Sequence, residues 1–140
     1  MRFIVDANVI VSASLSKFSV PFKALELVLD HHTPLLSEET FAELKVTLYK
    51  PKLEKYFLLE DTRPGILSTI LKYSTIIIPT ITVKACRDPK DDMYLELALS
   101  GQADCIVSGD PDLQVLSPFE NIPIISPREF LDRYNPVSST

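Results

Sequence analysis

The apolar residues of this chain follow two alternating rhythms. Phe3-Ile4-Val5 is an unbroken triplet of aromatic and β-branched residues, which is how a strand covered on both faces reads. After Asp6 the spacing changes to Ala7, Val9-Ile10-Val11, Ala13 and Leu15, which predicts a helix whose first turn begins at or just after Asp6. Phe22, Leu25, Leu27-Val28 and Leu29 lie at near-helical spacing behind Pro21, a residue suited to a first helical turn. His31-His32-Thr33 ends that helix. The two adjacent rings point in different directions, so they read as a solvated helix end and not as a metal pair. Pro34-Leu35-Leu36-Ser37 predicts a second strand, and Glu38-Glu39 are the acids of a helix start. From Glu38 to about Tyr49, Phe41, Leu44 and Leu48 form one stripe. Glu43 falls nearly opposite, beside Thr40, Thr47 and Lys50, so periodicity alone makes it a solvated residue.

Pro51 interrupts the pattern, and Leu53 with Tyr56-Phe57-Leu58-Leu59 continues as a helical arm. Arg63-Pro64 opens a helix through Ile66-Leu67, Ile70-Leu71 and Tyr73, so the middle of the chain reads as a helical hairpin. Thr75-Ile76-Ile77-Ile78 predicts a third buried strand stopped by Pro79, and Val83 to Pro89 an irregular charged loop. Met93 to Leu99 is apolar nearly all round and predicts a buried helix capped by glycine at Ser100-Gly101. Asp104-Cys105-Ile106-Val107-Ser108 reads as a fourth strand, turning sharply at Gly109-Asp110-Pro111-Asp112. Ile122 to Ile125 gives a fifth, Pro127 to Tyr134 a last helix, and Asn135 to Thr140 a polar tail expected to fray. This order is that of a doubly wound parallel α/β sheet with a helical insertion, in one domain over 1–134 with a tail at 135–140.

Composition narrows the classes. The 140 residues are 46% hydrophobic with three glycines, enough for one sizeable core. Apolar stretches are broken well before the roughly 18 residues a membrane span needs, and Met1-Arg2 leads into the first strand without a signal-peptide pattern, so the chain reads as cytoplasmic, with no membrane partner. Cys86 and Cys105 have neither C-x-x-C spacing nor paired histidines and read as ordinary thiols. A formal net charge of −5 argues against nucleic-acid binding by bulk electrostatics. Local recognition remains open, because Lys45, Lys50, Lys52, Lys55, Arg63, Lys72, Lys84, Arg87 and Lys90 concentrate in the middle of the chain.

Asp6 ends the first strand, Asp92 starts a helix and Asp110 follows the fourth strand. Each alone has the place of an N-cap. Parallel strands, however, bring their carboxyl ends to one edge, where open α/β sheets bind ligands. Converging carboxylates repel one another unless one is protonated or a cation is bound. Oxygen donors with no cysteine or histidine beside them suit Mg²⁺ or Mn²⁺ better than zinc.

These residues carry a resemblance. Phe3-Ile4-Val5-Asp6-Ala7-Asn8-Val9, the helix with Glu43, Asp88-Pro89-Lys90-Asp91-Asp92 leading to Leu95-Glu96-Leu97-Ala98, and Ala103 to Asp110 resemble the successive motifs of the PIN-domain family. Ile125-Ser126-Pro127-Arg128-Glu129-Phe130 extends the match towards the end of the chain. The resemblance is closest to PIN-family toxin components of toxin-antitoxin systems, the VapC-like ribonucleases. It implies a three-layer α/β/α fold with a central parallel sheet of about five strands. It implies catalytic and metal-binding roles for Asp6, Glu43, Asp92 and Asp110, with Asn8 and Ser108 at small polar positions and Asp91, Asp88 and Asp112 adjacent candidates. Asp104, at the start of its strand, lies at the far end.

The implied activity is Mg²⁺- or Mn²⁺-dependent hydrolysis of RNA phosphodiester bonds, with an antitoxin protein as a possible partner and a homodimer as the assembly. The absence of a Ser-His or Cys-His arrangement agrees with a mechanism that uses no side-chain nucleophile. Two other classes compete. A receiver-like phosphoacceptor domain also gathers acids around Mg²⁺, but needs a lysine after the last strand, where Ile124-Ile125-Ser126-Pro127-Arg128 has none. A PIN scaffold that binds RNA or protein without cutting would not need all four acids.

Overall fold

The computed structural model describes residues 1–134, so the tail expected over 135–140 lies outside the described residues. Strand β1 (Arg2–Val5) is followed by helices α1 (Ala7–Leu15) and α2 (Val20–His31). Strand β2 (Thr33–Leu36) then leads into α3 (Glu38–Leu48). A 3₁₀ segment at Pro51–Phe57 and helix α4 (Arg63–Tyr73) precede strand β3 (Thr75–Ile76). The remainder is a 3₁₀ turn at Pro89–Asp91, helix α5 (Asp92–Gly101), strand β4 (Cys105–Val107), helix α6 (Pro111–Gln114), strand β5 (Ile124–Ile125) and helix α7 (Pro127–Tyr134). The strands form a five-stranded sheet in the order β3-β2-β1-β4-β5, and every pairing is parallel. Helices cover both faces, as the α/β/α expectation required. Among the described residues, no helix is long and apolar enough to cross a membrane.

The first strand is central because both its faces are apolar. Phe3 pairs with Cys105, Ile4 with Ile106 and Val5 with Val107, and side chains alternate between faces with the two-residue period of a strand. Ile4 and Ile106 pack with Tyr94, Leu95, Leu97 and Ala98 of α5. Phe3, Cys105 and Val107 pack on the other face with Val28 of α2 and Phe130 of α7. A third cluster joins Ile10 and Val11 of α1 to Leu36, Leu44, Leu48, Phe57 and Ile70, which seats the helical hairpin beside the sheet.

Four local expectations change. The strand expected over 75–78 is an edge strand of two residues, paired on one side only, and Ile76 is 53% exposed. His32 is not a solvated helix end: its ring lies 4.7 Å from that of Phe3 in an edge-on arrangement, within a cluster that includes Phe130 and Tyr134, and burial pushes its pKa down. The arm after Pro51 is 3₁₀ and not α-helical, pinned by Arg63. The Arg63 side chain pairs with Glu54 at 2.8 Å and Asp61 at 2.7 Å, while its guanidinium carbon stacks 4.4 Å from the Tyr49 ring and 4.7 Å from that of Phe57.

The last change concerns Gly101, which closes α5 from inside the helix while Gln102 takes the left-handed cap conformation at φ 55°. Packing explains the glycine. A Cβ there would lie 2.8 Å from Leu35 Cδ1 and 3.2 Å from Ile77 Cγ1, so a side chain at this position would require those buried and half-buried neighbours to shift.

Candidate functional site

Asp6 stands at the carboxyl edge of the sheet because two patterns meet there. Its N–H donates to Val107 O at 3.0 Å, extending the β1–β4 ladder by one residue, and its backbone oxygen accepts from Val9 and Ile10 as α1 begins. The Oδ1 atom accepts from the Asn8 N–H at 3.1 Å, so the capping role read from sequence is real. The second carboxylate oxygen turns towards β4, where Oδ2 accepts from the Ser108 hydroxyl at 2.8 Å.

Ser108 is fully buried one residue beyond β4, and its N–H donates to Ile125 O of β5 at 2.9 Å. Its hydroxyl oxygen also accepts from the Asp110 N–H at 3.0 Å. One side chain therefore ties the acid after β1 to the acid after β4. Asp110 caps α6 by accepting from the Asp112 N–H at 2.9 Å, and Gln114 Nε2 donates to Ser108 O at 2.7 Å, closing the turn. Asp112 sits at the start of α6 and contributes its backbone amide to this turn.

The two adjacent acids of the Asp91-Asp92 pair face different surroundings. Asp91 carries no capping hydrogen bond. Burial and then the charges of Asp110, Asp88 and Asp6 push its carboxyl up to about 6. Asp92 is buried, and its Oδ1 accepts from the backbone N–H groups of Ala85 at 3.1 Å and Cys86 at 2.8 Å. Burial opposes its charge, but those hydrogen bonds prevail and hold it below the usual carboxylate range. Glu96 accepts from Val83 N–H at 3.0 Å, and Ser100 Oγ from Thr80 N–H at 3.0 Å. Asp92, Glu96 and Ser100 are spaced by four residues along one stripe of α5. Together they dock the 80–86 segment against that helix. Asp88 caps the adjoining 3₁₀ turn through the Lys90 N–H.

Glu43 is half-buried on α3, with Thr47 Oγ1 donating to its backbone oxygen at 2.8 Å and lying 3.4 Å from Oε1. Thr40 and Thr47, on the same face, are buried, whereas Val46 is 62% exposed. The polar face of α3 thus turns inward, contrary to its periodicity.

Tyr94 was not singled out by sequence reasoning, because it lies within an apolar helix where an aromatic ring reads as core. Its only signal was the polar tip it carries three residues after Asp91. The ring is buried, and Oη accepts from the Ala7 N–H at 3.2 Å. Burial, then the charges of Asp6, Glu43 and Asp91, drive its pKa far above the usual value.

Burial and the neighbouring Asp110 also raise the pKa of Asp6, against the lowering effect of its hydrogen bonds with Ser108 and Asn8. No lysine or arginine is among the groups that shift Asp6 or Asp91. Among the described residues, no three acid, imidazole or thiol side chains are gathered closely enough to enclose an ion. The donor chemistry still fits a hard divalent cation, since Asp6, Asp91 and Asp110 offer only oxygen and strain against one another's charge. Asp92 commits its Oδ1 to the 80–86 segment.

A parallel α/β sheet with a buried aspartate and half-buried acids near its carboxyl edge defines a class of acid-bearing α/β proteins. Comparison with known proteins gives the family. A family profile described as PIN domain matches residues 2–112, and the chain belongs to the PIN-domain family, whose members are generally nucleases. The chain is similar to an uncharacterized protein of Methanocaldococcus jannaschii, at 28% identity over 144 aligned positions covering 96% of this chain and 92% of the relative. Its fold is also similar to a chain in the crystal structure of VapBC2 from Rickettsia felis bound to a DNA fragment from their promoter. That match has a TM-score of 0.58 and 16% identity, covering 90% of this chain and 98% of the other.

Proposed function

We propose that this protein is a divalent-metal-dependent ribonuclease that hydrolyses RNA phosphodiester bonds, acting in the cytoplasm as the toxin component of a toxin-antitoxin pair. The observation that carries this reading is the link through Ser108 between Asp6 and Asp110 at the carboxyl edge of the sheet, with the carboxyl pKa raised at Asp6 and at the neighbouring Asp91. In this reading Asp6, Asp91 and Asp110 would hold Mg²⁺ or Mn²⁺, with Glu43 on α3 as a further candidate ligand. When bound, such an ion neutralises charge on the phosphoryl group and lowers the pKa of a bound water.

The chain's own contribution is positioning. Ser108 holds Asp6 and the Asp110 backbone in register, and the buried Tyr94 fixes the start of α1 beside Asp6 by accepting from the Ala7 N–H. Asp92, which the family resemblance makes a metal ligand, also docks the 80–86 segment through Oδ1 and so has a positioning role. Asn8 presents its amide N–H to Asp6 and its side chain to solvent. Membership of the PIN-domain family supports a nuclease and leaves the receiver-like alternative without support. The likeness of fold to a VapBC2 chain supports an antitoxin as partner.

Calorimetric titration with Mn²⁺ and cleavage of a mixed RNA pool with Mn²⁺ or with chelator test the proposal. Saturable binding, with cleavage abolished by chelator, is expected. No binding together with no cleavage contradicts it.

A further inference from the structure

Beside the acids lies a groove of about 440 Å³, within the ~300–1,000 Å³ range of small-ligand sites. Asp6 and Asp110 line it, with Asn8, Ser12, Pro21 and Pro127 among its other walls. Its lining contains no lysine, arginine or histidine. The two prolines sit in the first turns of α2 and α7, where a helix start ordinarily offers N–H groups to an anion. Proline removes its own donor and presents an apolar ring. Beyond a cation held by its two carboxylates, the groove offers no positively charged side chain to an additional phosphate. An uncharged, amphipathic group fits it. Asn8 and Ser12 are exposed, one helical turn apart on α1, and both can donate and accept hydrogen bonds.

On the nuclease reading above, we infer that this groove receives one nucleoside of the RNA substrate, adjacent to the scissile phosphate, with Asn8 and Ser12 as specificity-determining residues that read its base edge. Asparagine and serine are among the side chains that pair with base edges, and single-stranded RNA can splay out a base to be read in this way. The ring faces of Pro21 and Pro127 supply apolar walls for the base, while the negative end of the groove is left to the metal-bound phosphoryl group.

Two measurements separate this inference from the reading it rests on. In the first, ¹H–¹⁵N spectra of the whole protein are titrated with the four uncharged ribonucleosides, which requires no metal and no turnover. Saturable shifts at the amides of Asn8, Ser12 and Gly109, unequal among the four bases, are expected. They should vanish in Ser12→Leu, whose longer side chain fills the groove from an exposed helical position. In the second, short single-stranded RNAs that differ only in the nucleotide beside the cleaved bond are compared at fixed Mn²⁺. Wild-type rates should differ at least tenfold between best and worst base. Ser12→Ala, which keeps the groove open, should reduce that ratio. Cleavage by the wild type with no shifts at these amides, or with the same base profile in Ser12→Ala and Ser12→Leu, overturns the subsite and leaves the nuclease standing. Nucleoside shifts without cleavage of any RNA overturn the nuclease reading, and with it the place of this groove beside a scissile phosphate.

Discussion

Asp91→Asn and Asp92→Asn, made in adjacent residues, should move stability in opposite directions in metal-free protein. The Asp91 pKa rises from 3.8 to about 6 in the fold. At about 1.36 kcal/mol per pKa unit that shift corresponds to roughly 3 kcal/mol, and because Asp91 is partly exposed, solvent screening reduces it to on the order of 1 kcal/mol. A carboxyl whose folded pKa is raised contributes stability below its unfolded pKa and loses it as pH rises through the folded pKa, so the penalty is present above about pH 6. Asp91→Asn removes it, and Tm in chelator at pH 7.5 should rise by about 3 °C. At pH 4.5 most of that gain should disappear.

Asp92 behaves in the opposite sense. Its folded pKa is lowered, so its contribution is present above the unfolded pKa and lost as pH falls through the folded one. Asparagine keeps an acceptor for Ala85 and Cys86 but loses the charge that strengthens both hydrogen bonds, at a cost on the order of 1–2 kcal/mol. Its Tm should fall by about 3–6 °C at both pH values. Thermal melts of the two variants and wild type provide the comparison. A fall for Asp91→Asn at pH 7.5, or shifts of the same sign in both, would refute the division of roles between these neighbours.

Three further outcomes follow from the fold. Gly101→Ala should destabilise by about 1–3 kcal/mol despite alanine's higher helix propensity, because its Cβ meets Leu35 Cδ1 at 2.8 Å; a melt at or above wild type contradicts the close approach of α5 to β2. Arg63→Met should lower Tm more at neutral than at acid pH, since Glu54 and Asp61, both held below their ordinary pKa values by Arg63, lose that stabilisation as they protonate; an equal loss at both would assign Arg63 to packing alone. Leu58 and Leu59 are 75% and 105% exposed at the tip of the arm. Such apolar exposure fits the homodimer implied by the family resemblance. Light scattering should show a dimer that Leu59→Asp converts to monomer, and a monomeric wild type at all concentrations would contradict it.

Much of the architecture is legible in the sequence, because strands buried on both faces leave unbroken apolar triplets and helices leave their period. Phe3-Ile4-Val5 and Cys105-Ile106-Val107 read correctly for that reason. Thr75 to Ile78 misled, because an edge strand beside a helix carries the same β-branched residues while pairing on one side only. Glu43 was ambiguous in principle: a helical wheel separates polar from apolar faces but does not say whether the polar face meets solvent or a polar site. Asp91 and Asp92 were indistinguishable by spacing. What separates them is the backbone of residues 85 and 86, folded back onto one carboxylate and not the other, a tertiary contact without a local signature. His32 was misread for the related reason that its partners, Phe3, Phe130 and Tyr134, are distant in sequence.

The most direct test of the central claim is the rate of RNA cleavage at fixed Mn²⁺ by wild type and by Asp6→Asn. Asparagine caps a helix about as well as aspartate, so the fold and Tm should be retained while a metal-binding charge is lost. The account predicts a fall in rate by orders of magnitude in a protein that melts no lower than wild type. Cleavage by Asp6→Asn at the wild-type rate would reduce Asp6 to a helix cap and contradict the proposed metal-dependent ribonuclease.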